Sequence, residues 1–135
     1  MALIGKKFSG NKNKNLIDSF KHAYEGIVYA VIKEKNMHIH VSVAILVIVC
    51  GMIFQLSYAE WLACLILIAL VISLEMINTA VEAVVDLITT KEDPLAKVAK
   101  DTAAGAVLVS AIVAAFIGLV IFVPKIFDYL ISIGM

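Results

Sequence analysis

Several residue types that carry familiar chemistry are scarce or absent in this chain. It has no arginine among its 135 residues, which argues against an arginine-based reader of nucleic acid. Its two cysteines, Cys50 and Cys64, each lie inside an apolar run and lack the spacing of a disulfide framework or a zinc site. The first residues are polar, with no apolar core followed by a small-residue cleavage site, so no cleavable signal peptide is expected.

Apolar residues dominate what remains. They make up 62% of the sequence, and the mean hydropathy is +1.00. A water-soluble domain of this length cannot bury so much apolar surface, so a lipid bilayer is the expected solvent. The net charge is zero, yet seven of the eleven lysines fall within residues 1–35. Because an excess of lysine marks the cytoplasmic side of a membrane protein, we expect the N-terminus to be cytoplasmic.

The pattern along the chain predicts one all-α membrane domain. Its expected elements are an amphipathic surface helix and three transmembrane helices, at residues 15–35, 39–57, 61–87 and 94–123. Asp93 and Pro94 suit the N-cap and first position of the last helix, and Pro124 is expected to end it. The many small residues of that helix favour close packing on another helix or subunit. The lysine-containing connection at 88–101 is expected at the cytoplasmic face.

The end of the surface helix allows more than one interpretation. If the helix continues past Lys33, Glu34 lies on its apolar face and needs a partner, a cation or water. If the helix ends there, Glu34 is a solvated loop residue. His38 and His40 are two positions apart and face different sides of a helix. We interpret them as interfacial histidines, with a metal site as the alternative.

A polar stripe near the end of the second predicted span is the most informative feature. At about 100° per residue, five side chains fall within a sector of roughly 100°, and the other faces are apolar. These five are Glu75, Asn78, Thr79, Glu82 and Asp86. Polar side chains at membrane depth are costly, so such a stripe is by default a hypothesis of a functional site.

The residue types in and around the stripe suit a phosphoryl-transfer site. Carboxylates at Glu34, Glu82 and Asp86 would suit Mg²⁺ shared with phosphate oxygens, and Lys100 would suit a nucleotide phosphate. Glu75, which lies deeper, would suit a general base for a lipid hydroxyl. The same stripe would equally suit a proton or cation transport subunit, or polar contacts between helices. The residues alone leave all three functions open.

The segment from Glu75 to Asp86 closely resembles the signature of the bacterial diacylglycerol kinase family. That signature, E-x-[LIVM]-N-[ST]-[SA]-[LIV]-E-x-x-V-D, is matched at every specified position. Residues 99–101 read Ala-Lys-Asp, where the family has its A-K-D motif, and Glu34 stands about forty residues before Glu75. The resemblance covers residues 15–123 and includes the plan of a surface helix followed by three spans.

The resemblance implies a membrane-bound lipid kinase that uses ATP and Mg²⁺ and assembles as a homotrimer in the bacterial cell membrane. It implies no nucleic-acid partner. It assigns roles in three groups: Glu75 as general base; Glu34 and Glu82 as carboxylates that bind Mg²⁺ and the nucleotide; and Lys100, Asp101, Glu92 and Asp93 as nucleotide contacts. Asn78 and Asp86 would support the site.

The substrate follows from a finer resemblance. The branch that acts on diacylglycerol carries an arginine and a tryptophan in the surface helix, near Asn15 and Tyr24 of this chain. Residues 36–40 instead resemble the Gram-positive branch, whose members are similar to undecaprenol kinases. Undecaprenol is therefore the expected lipid alcohol, and diacylglycerol is the alternative.

Overall fold

The computed structural model describes residues 16–134, and its regular structure over that range is entirely helical. The helices are α1 (Leu16–Lys33), α2 (Lys35–Ile53), α3 (Tyr58–Ile88) and α4 (Pro94–Ser132). The last three are each long and apolar enough to cross a membrane. The prediction of an all-α chain with three potential membrane spans is confirmed. Asn15, the predicted start of the surface helix, lies outside the described residues.

Helix α3 is the centre of the fold. Helices α4 and α2 both pack on it, and α1 contacts α2 and α3. Among the described residues, four polar side chains are buried: Glu75, Asn78, Thr79 and Ser110. Large apolar side chains lie exposed along all four helices. Apolar side chains are buried as well. Polar side chains kept inside, with large apolar side chains facing outward, suit a chain whose solvent is lipid.

The break between α1 and α2 falls at Glu34, whose backbone is extended with φ −95° and ψ 121°. The interpretation in which the surface helix ends at Lys33 is therefore confirmed. Glu34 is half-buried, however, so it is not the solvated loop residue that this interpretation expected. The chain turns here, and α2 begins four residues before the predicted first span.

A capping box starts α3 at Tyr58, three residues before the predicted span. The backbone N–H of Glu60 donates to Ser57 Oγ over 3.4 Å, and the backbone N–H of Ser57 donates to Glu60 Oε2 over 2.7 Å. These two bonds satisfy donors that the first turn of a helix otherwise leaves free. Serine followed three residues later by glutamate is a known signature of a helix N-terminus, so the start of α3 at Tyr58 could have been predicted from the sequence.

Helix α4 continues through Pro124 to Ser132, so the prediction that Pro124 ends it is wrong. The proline removes one backbone hydrogen-bond donor. Residues 125–132 of α4 nevertheless contact other parts of the fold. Lys125 Nζ lies 3.2 Å from Glu60 Oε2 at the start of α3. The Tyr129 ring packs edge-on against Phe54, with centroids 5.9 Å apart. Tertiary contacts thus outweigh the local preference of proline.

Gly51 marks a close approach of α2 to the start of α3. A Cβ atom at this position would lie only 2.7 Å from Cη2 of Trp61. Replacing glycine by alanine in an open helix stabilises it by about 1 kcal/mol, but overpacking of this kind costs about 1–3 kcal/mol. We expect Gly51→Ala to lower the midpoint of thermal unfolding in detergent.

Gly26→Ala in α1 is the matched control, because a Cβ atom there meets nothing within 4 Å. Its unfolding midpoint should equal or exceed that of the parent protein. A Gly51→Ala protein as stable as the Gly26→Ala protein would show that the indole moves aside at no cost, and would contradict the packing described above.

Candidate active site

The polar stripe of α3 runs from a buried end to an exposed end. Glu75 is 1% exposed and Asn78 4% exposed, whereas Glu82 is half-buried and Asp86 is exposed. Thr79 is also buried, but its hydroxyl donates to the backbone carbonyl of Glu75 over 3.0 Å. Its polarity is therefore satisfied within the helix, and the side chains available for chemistry are the carboxylates and the amide.

Asn78 and Glu82 are joined, and two neighbouring oxygen atoms are left without a partner. The Asn78 amide donates from Nδ2 to Glu82 Oε1 over 3.1 Å. Within residues 16–134, neither Asn78 Oδ1 nor Glu75 Oε1 has a hydrogen-bond partner, and both atoms are buried. A buried acceptor without a partner costs about 1–3 kcal/mol. Such a cost is offset when a bound ligand supplies a donor or a cation.

The junction of α1 and α2 brings further polar groups to Glu75. Glu34 and Glu82 lie close enough to the Glu75 carboxyl group for their charges to act on it. The same is true of the His40 imidazole, and the Asn36 amide is also adjacent. Asn36 and His40 are four residues apart in α2, so they share one face of that helix. Carboxylates from two separate parts of the chain thus act on one another. The sequence pattern grouped Glu34 and Glu82 with Asp86, which pairs with Lys100 at the exposed end of the stripe.

A cavity of about 250 Å³ opens beside Glu75 and Asn78. Residues of three helices line it: Asn36, Ile39 and His40 of α2; Glu75 and Asn78 of α3; and Ala104, Val107, Leu108 and Ala111 of α4. Asn36 and His40 were not among the residues predicted from the sequence to belong to this site. Their spacing of four at the polar start of an apolar helix is the signal that would have pointed to them.

A second, charged cavity of about 220 Å³ lies where α3 ends and α4 begins. Its charged lining residues are Asp86, Lys91, Glu92, Asp93, Lys97 and Lys100. Lys100 Nζ donates to Asp86 Oδ1, so the pair ties the two helices together. Asp93 Oδ1 accepts from the backbone N–H groups of Leu95 and Ala96 at 2.8 and 3.1 Å, which confirms the predicted N-cap. Asp101 is exposed and lines neither of these cavities.

The donor set around Glu75 fits a divalent cation that is shared with a phosphate ligand. Carboxylates and an amide oxygen are the ligands that Mg²⁺ prefers, and it keeps several positions for water and phosphate. No three His, Cys, Asp or Glu side chains among residues 16–134 form a group that would hold a metal alone. A metal site built from the two histidines is therefore not found in that part of the chain. Glu82, bonded to Asn78, and Glu34 at the α1–α2 junction are the carboxylates that could hold Mg²⁺ together with a nucleotide.

Comparison with known proteins identifies relatives that cover most of the chain. The family model of prokaryotic diacylglycerol kinase matches residues 21–122. The chain is 47% identical over 115 residues to undecaprenol kinase of Bacillus subtilis (strain 168), covering 85% of this chain and 94% of that one. It is 36% identical over 118 residues to a diacylglycerol kinase of Synechocystis, covering 87% of this chain and 67% of that one. A diacylglycerol kinase of Helicobacter pylori (strain J99) is 32% identical over 104 residues, covering 77% and 81%.

These matches decide between the functions that the residues alone left open. The family match spans the polar stripe, the α1–α2 junction and the charged cavity. A transport subunit or a purely structural stripe is therefore set aside. The chain belongs to the prokaryotic diacylglycerol kinase family, and it is a lipid kinase.

Proposed function

We propose that this protein transfers the γ-phosphoryl group of ATP to the hydroxyl group of undecaprenol, giving undecaprenyl phosphate and ADP. The observation that carries the proposal is the buried Glu75 carboxyl group with a free oxygen, beside the free Asn78 oxygen, at a cavity between three helices. A reacting alcohol needs a proton acceptor at the point where its oxygen attacks, and a water-poor site keeps competing hydrolysis low.

In this mechanism Glu75 accepts the proton of the lipid hydroxyl through its free Oε1 atom. The lipid oxygen forms a new bond to the γ-phosphorus of ATP, and the bond between that phosphorus and the β–γ bridging oxygen breaks. ADP leaves with the electron pair of the broken bond. Asn78 holds Glu82 in place through the bond from its amide to Glu82 Oε1. Phosphoryl transfer depends mainly on positioning and on neutralising charge.

Mg²⁺, held by Glu34 and Glu82, would supply the charge neutralisation that the triphosphate requires. We propose that the rest of the nucleotide occupies the charged cavity at the start of α4. Lys100, kept in place by Asp86, would contact phosphate oxygens. Glu92 lines the same cavity and would lie near the base or ribose. Asp93 would do so through the carboxylate oxygen that does not cap α4, and Asp101 would contact the nucleotide from the adjoining turn.

The proposed orientation puts this site at the cytoplasmic face, where ATP is present. Lysines lie in the α3–α4 connection and in α1, whereas the α2–α3 connection has none. By the positive-inside rule the N-terminal segment and the charged cavity are then cytoplasmic. Glu75, nearer the middle of α3, would meet a lipid hydroxyl at the depth of the inner leaflet.

Undecaprenol is preferred over diacylglycerol because the relative with 47% identity is an undecaprenol kinase, whereas the diacylglycerol kinases compared are 36% and 32% identical. The test is phosphorylation by the purified protein in vesicles containing each lipid alcohol at equal mole fraction, with Mg·ATP. We expect undecaprenol to have the higher kcat/KM. A higher value for diacylglycerol would make that lipid the substrate, and no product from either would refute the proposal.

We further propose that the chain assembles as a homotrimer. Of the 39 residues of α4, Val107 and Ser110 are the buried ones, so a single chain leaves most of this helix uncovered. Gly105 has open space where its Cβ would lie. A leucine there should disturb close packing between subunits.

We expect Gly105→Leu to lower the trimer fraction in light scattering after size exclusion. Gly26→Leu on α1 serves as the control and should remain trimeric. A trimer that is unchanged by Gly105→Leu would mean that Gly105 faces lipid.

A further inference from the structure

His40 stands where two cavities adjoin. Besides the cavity beside Glu75, an apolar cavity of about 360 Å³ runs between α2, α3 and α4. Aliphatic side chains of α2 and α3 line it, together with small residues of α4 that include Ala111, Ala114 and Gly118. Within the described chain these small residues therefore border a cavity. Ile39, His40 and Ala111 line both cavities, and His40 is the polar side chain among the three.

The polarity of the two cavities matches the two parts of a lipid alcohol. Such a substrate is a long apolar chain that ends in a single hydroxyl group. If the hydroxyl reaches Glu75 in the polar cavity, the adjoining chain has an apolar cavity of matching character to enter. The carbon that bears the hydroxyl would then lie among Ile39, His40 and Ala111, which border both spaces.

The His40 side chain can form a hydrogen bond with that hydroxyl group. Among residues 16–134, no hydrogen bond occupies its imidazole, although the ring is half-buried. A neutral imidazole offers one N–H donor and one acceptor. Asn36 lies one turn earlier on the same helix face and lines the polar cavity too. The charged group that acts with it across the polar cavity is Glu75 of α3, on which Glu34 and Glu82 also act.

We propose that His40 positions the lipid substrate by donating a hydrogen bond from its ring N–H to the hydroxyl oxygen, while Glu75 takes the hydroxyl proton. The inference rests on the proposed function and adds to it a residue that binds the alcohol. His40 keeps its own proton throughout, so the balance of the transfer reaction is unchanged. Its contribution is to hold the oxygen near Glu75 in the orientation needed for attack.

The test compares three variants by steady-state kinetics in vesicles, with the lipid alcohol and Mg·ATP varied separately. For His40→Ala we expect kcat/KM for the lipid to fall about tenfold, as for the loss of one hydrogen bond of about 1.4 kcal/mol, with KM for Mg·ATP unchanged. His40→Gln retains an amide donor and should recover most of the loss. His38→Ala is the matched control, because His38 is an exposed histidine of the same helix that lines neither cavity.

Each outcome has a separate meaning. Unchanged lipid kinetics in His40→Ala would overturn the inference. So would a fall in kcat/KM for the lipid that is accompanied by an equal rise in KM for Mg·ATP and is not recovered in His40→Gln. Either result leaves the proposed function standing, because the parent protein still phosphorylates its lipid. If the parent protein phosphorylates neither undecaprenol nor diacylglycerol, the proposed function fails and the role of His40 fails with it.

Discussion

Replacing Glu75 with glutamine is expected to lower kcat for lipid phosphorylation by about 100-fold or more, which is the loss typical of a missing general base. Glutamine has nearly the same volume and fills the same place, so the packing around this 1% exposed side chain is preserved. The amide cannot accept the hydroxyl proton. Binding of Mg·ATP should stay close to that of the parent protein, because the role proposed for Glu75 concerns the alcohol.

Glu25→Gln provides a control of the same chemical change on an exposed position of α1. Its kcat should match the parent value. The measurement is product formation under saturating lipid and ATP, combined with a nucleotide-binding titration. A Glu75→Gln protein that retains full turnover would remove the proposed role of this residue as base.

The second large effect concerns Glu82, where glutamine should weaken Mg·ATP binding by about 10–100-fold, the range found for perturbed metal sites. The substitution removes the negative charge, but the amide oxygen of glutamine can still accept the hydrogen bond that Asn78 donates. The loss therefore reports on charge and metal binding rather than on a broken contact. It should appear as a higher KM for Mg·ATP and a steeper dependence of activity on free Mg²⁺.

A Glu82→Gln protein with an unaltered magnesium requirement would contradict this assignment. Glu25→Gln again serves as the control, since it removes an exposed carboxylate of α1 that lines neither the polar nor the charged cavity. A lower kcat with no change in KM would instead place Glu82 in the chemical step, together with Glu75.

The stripe on α3 could be predicted because helical geometry is local. Side chains three, four and seven residues apart share one face of any α-helix. Once the segment is helical, Glu75, Asn78 and Glu82 therefore lie on the same face. The N-cap at Asp93 followed in the same way from residues adjacent in sequence. These predictions depended on no knowledge of how the helices pack.

Features that arise between helices could not be predicted in this way. The continuation of α4 through Pro124 involves contacts of Lys125 and Tyr129 with Glu60 and Phe54, which are distant in sequence. The position of His40 at the junction of two cavities depends on how α2 packs against α3 and leaves space beside α4. Such arrangements are set by contacts that a pattern within one segment does not contain.

The central claim is that Glu34 and Glu82 hold a metal-bound triphosphate beside Glu75, and the binding of Mn²⁺ with a non-hydrolysable ATP analogue tests it most directly. Electron paramagnetic resonance of the purified protein in detergent reports the fraction of Mn²⁺ bound. The account predicts nucleotide-dependent binding that is preserved in Glu75→Gln and weakened about 10–100-fold in Glu82→Gln. Equal Mn²⁺ affinity in the parent protein and both variants would contradict it.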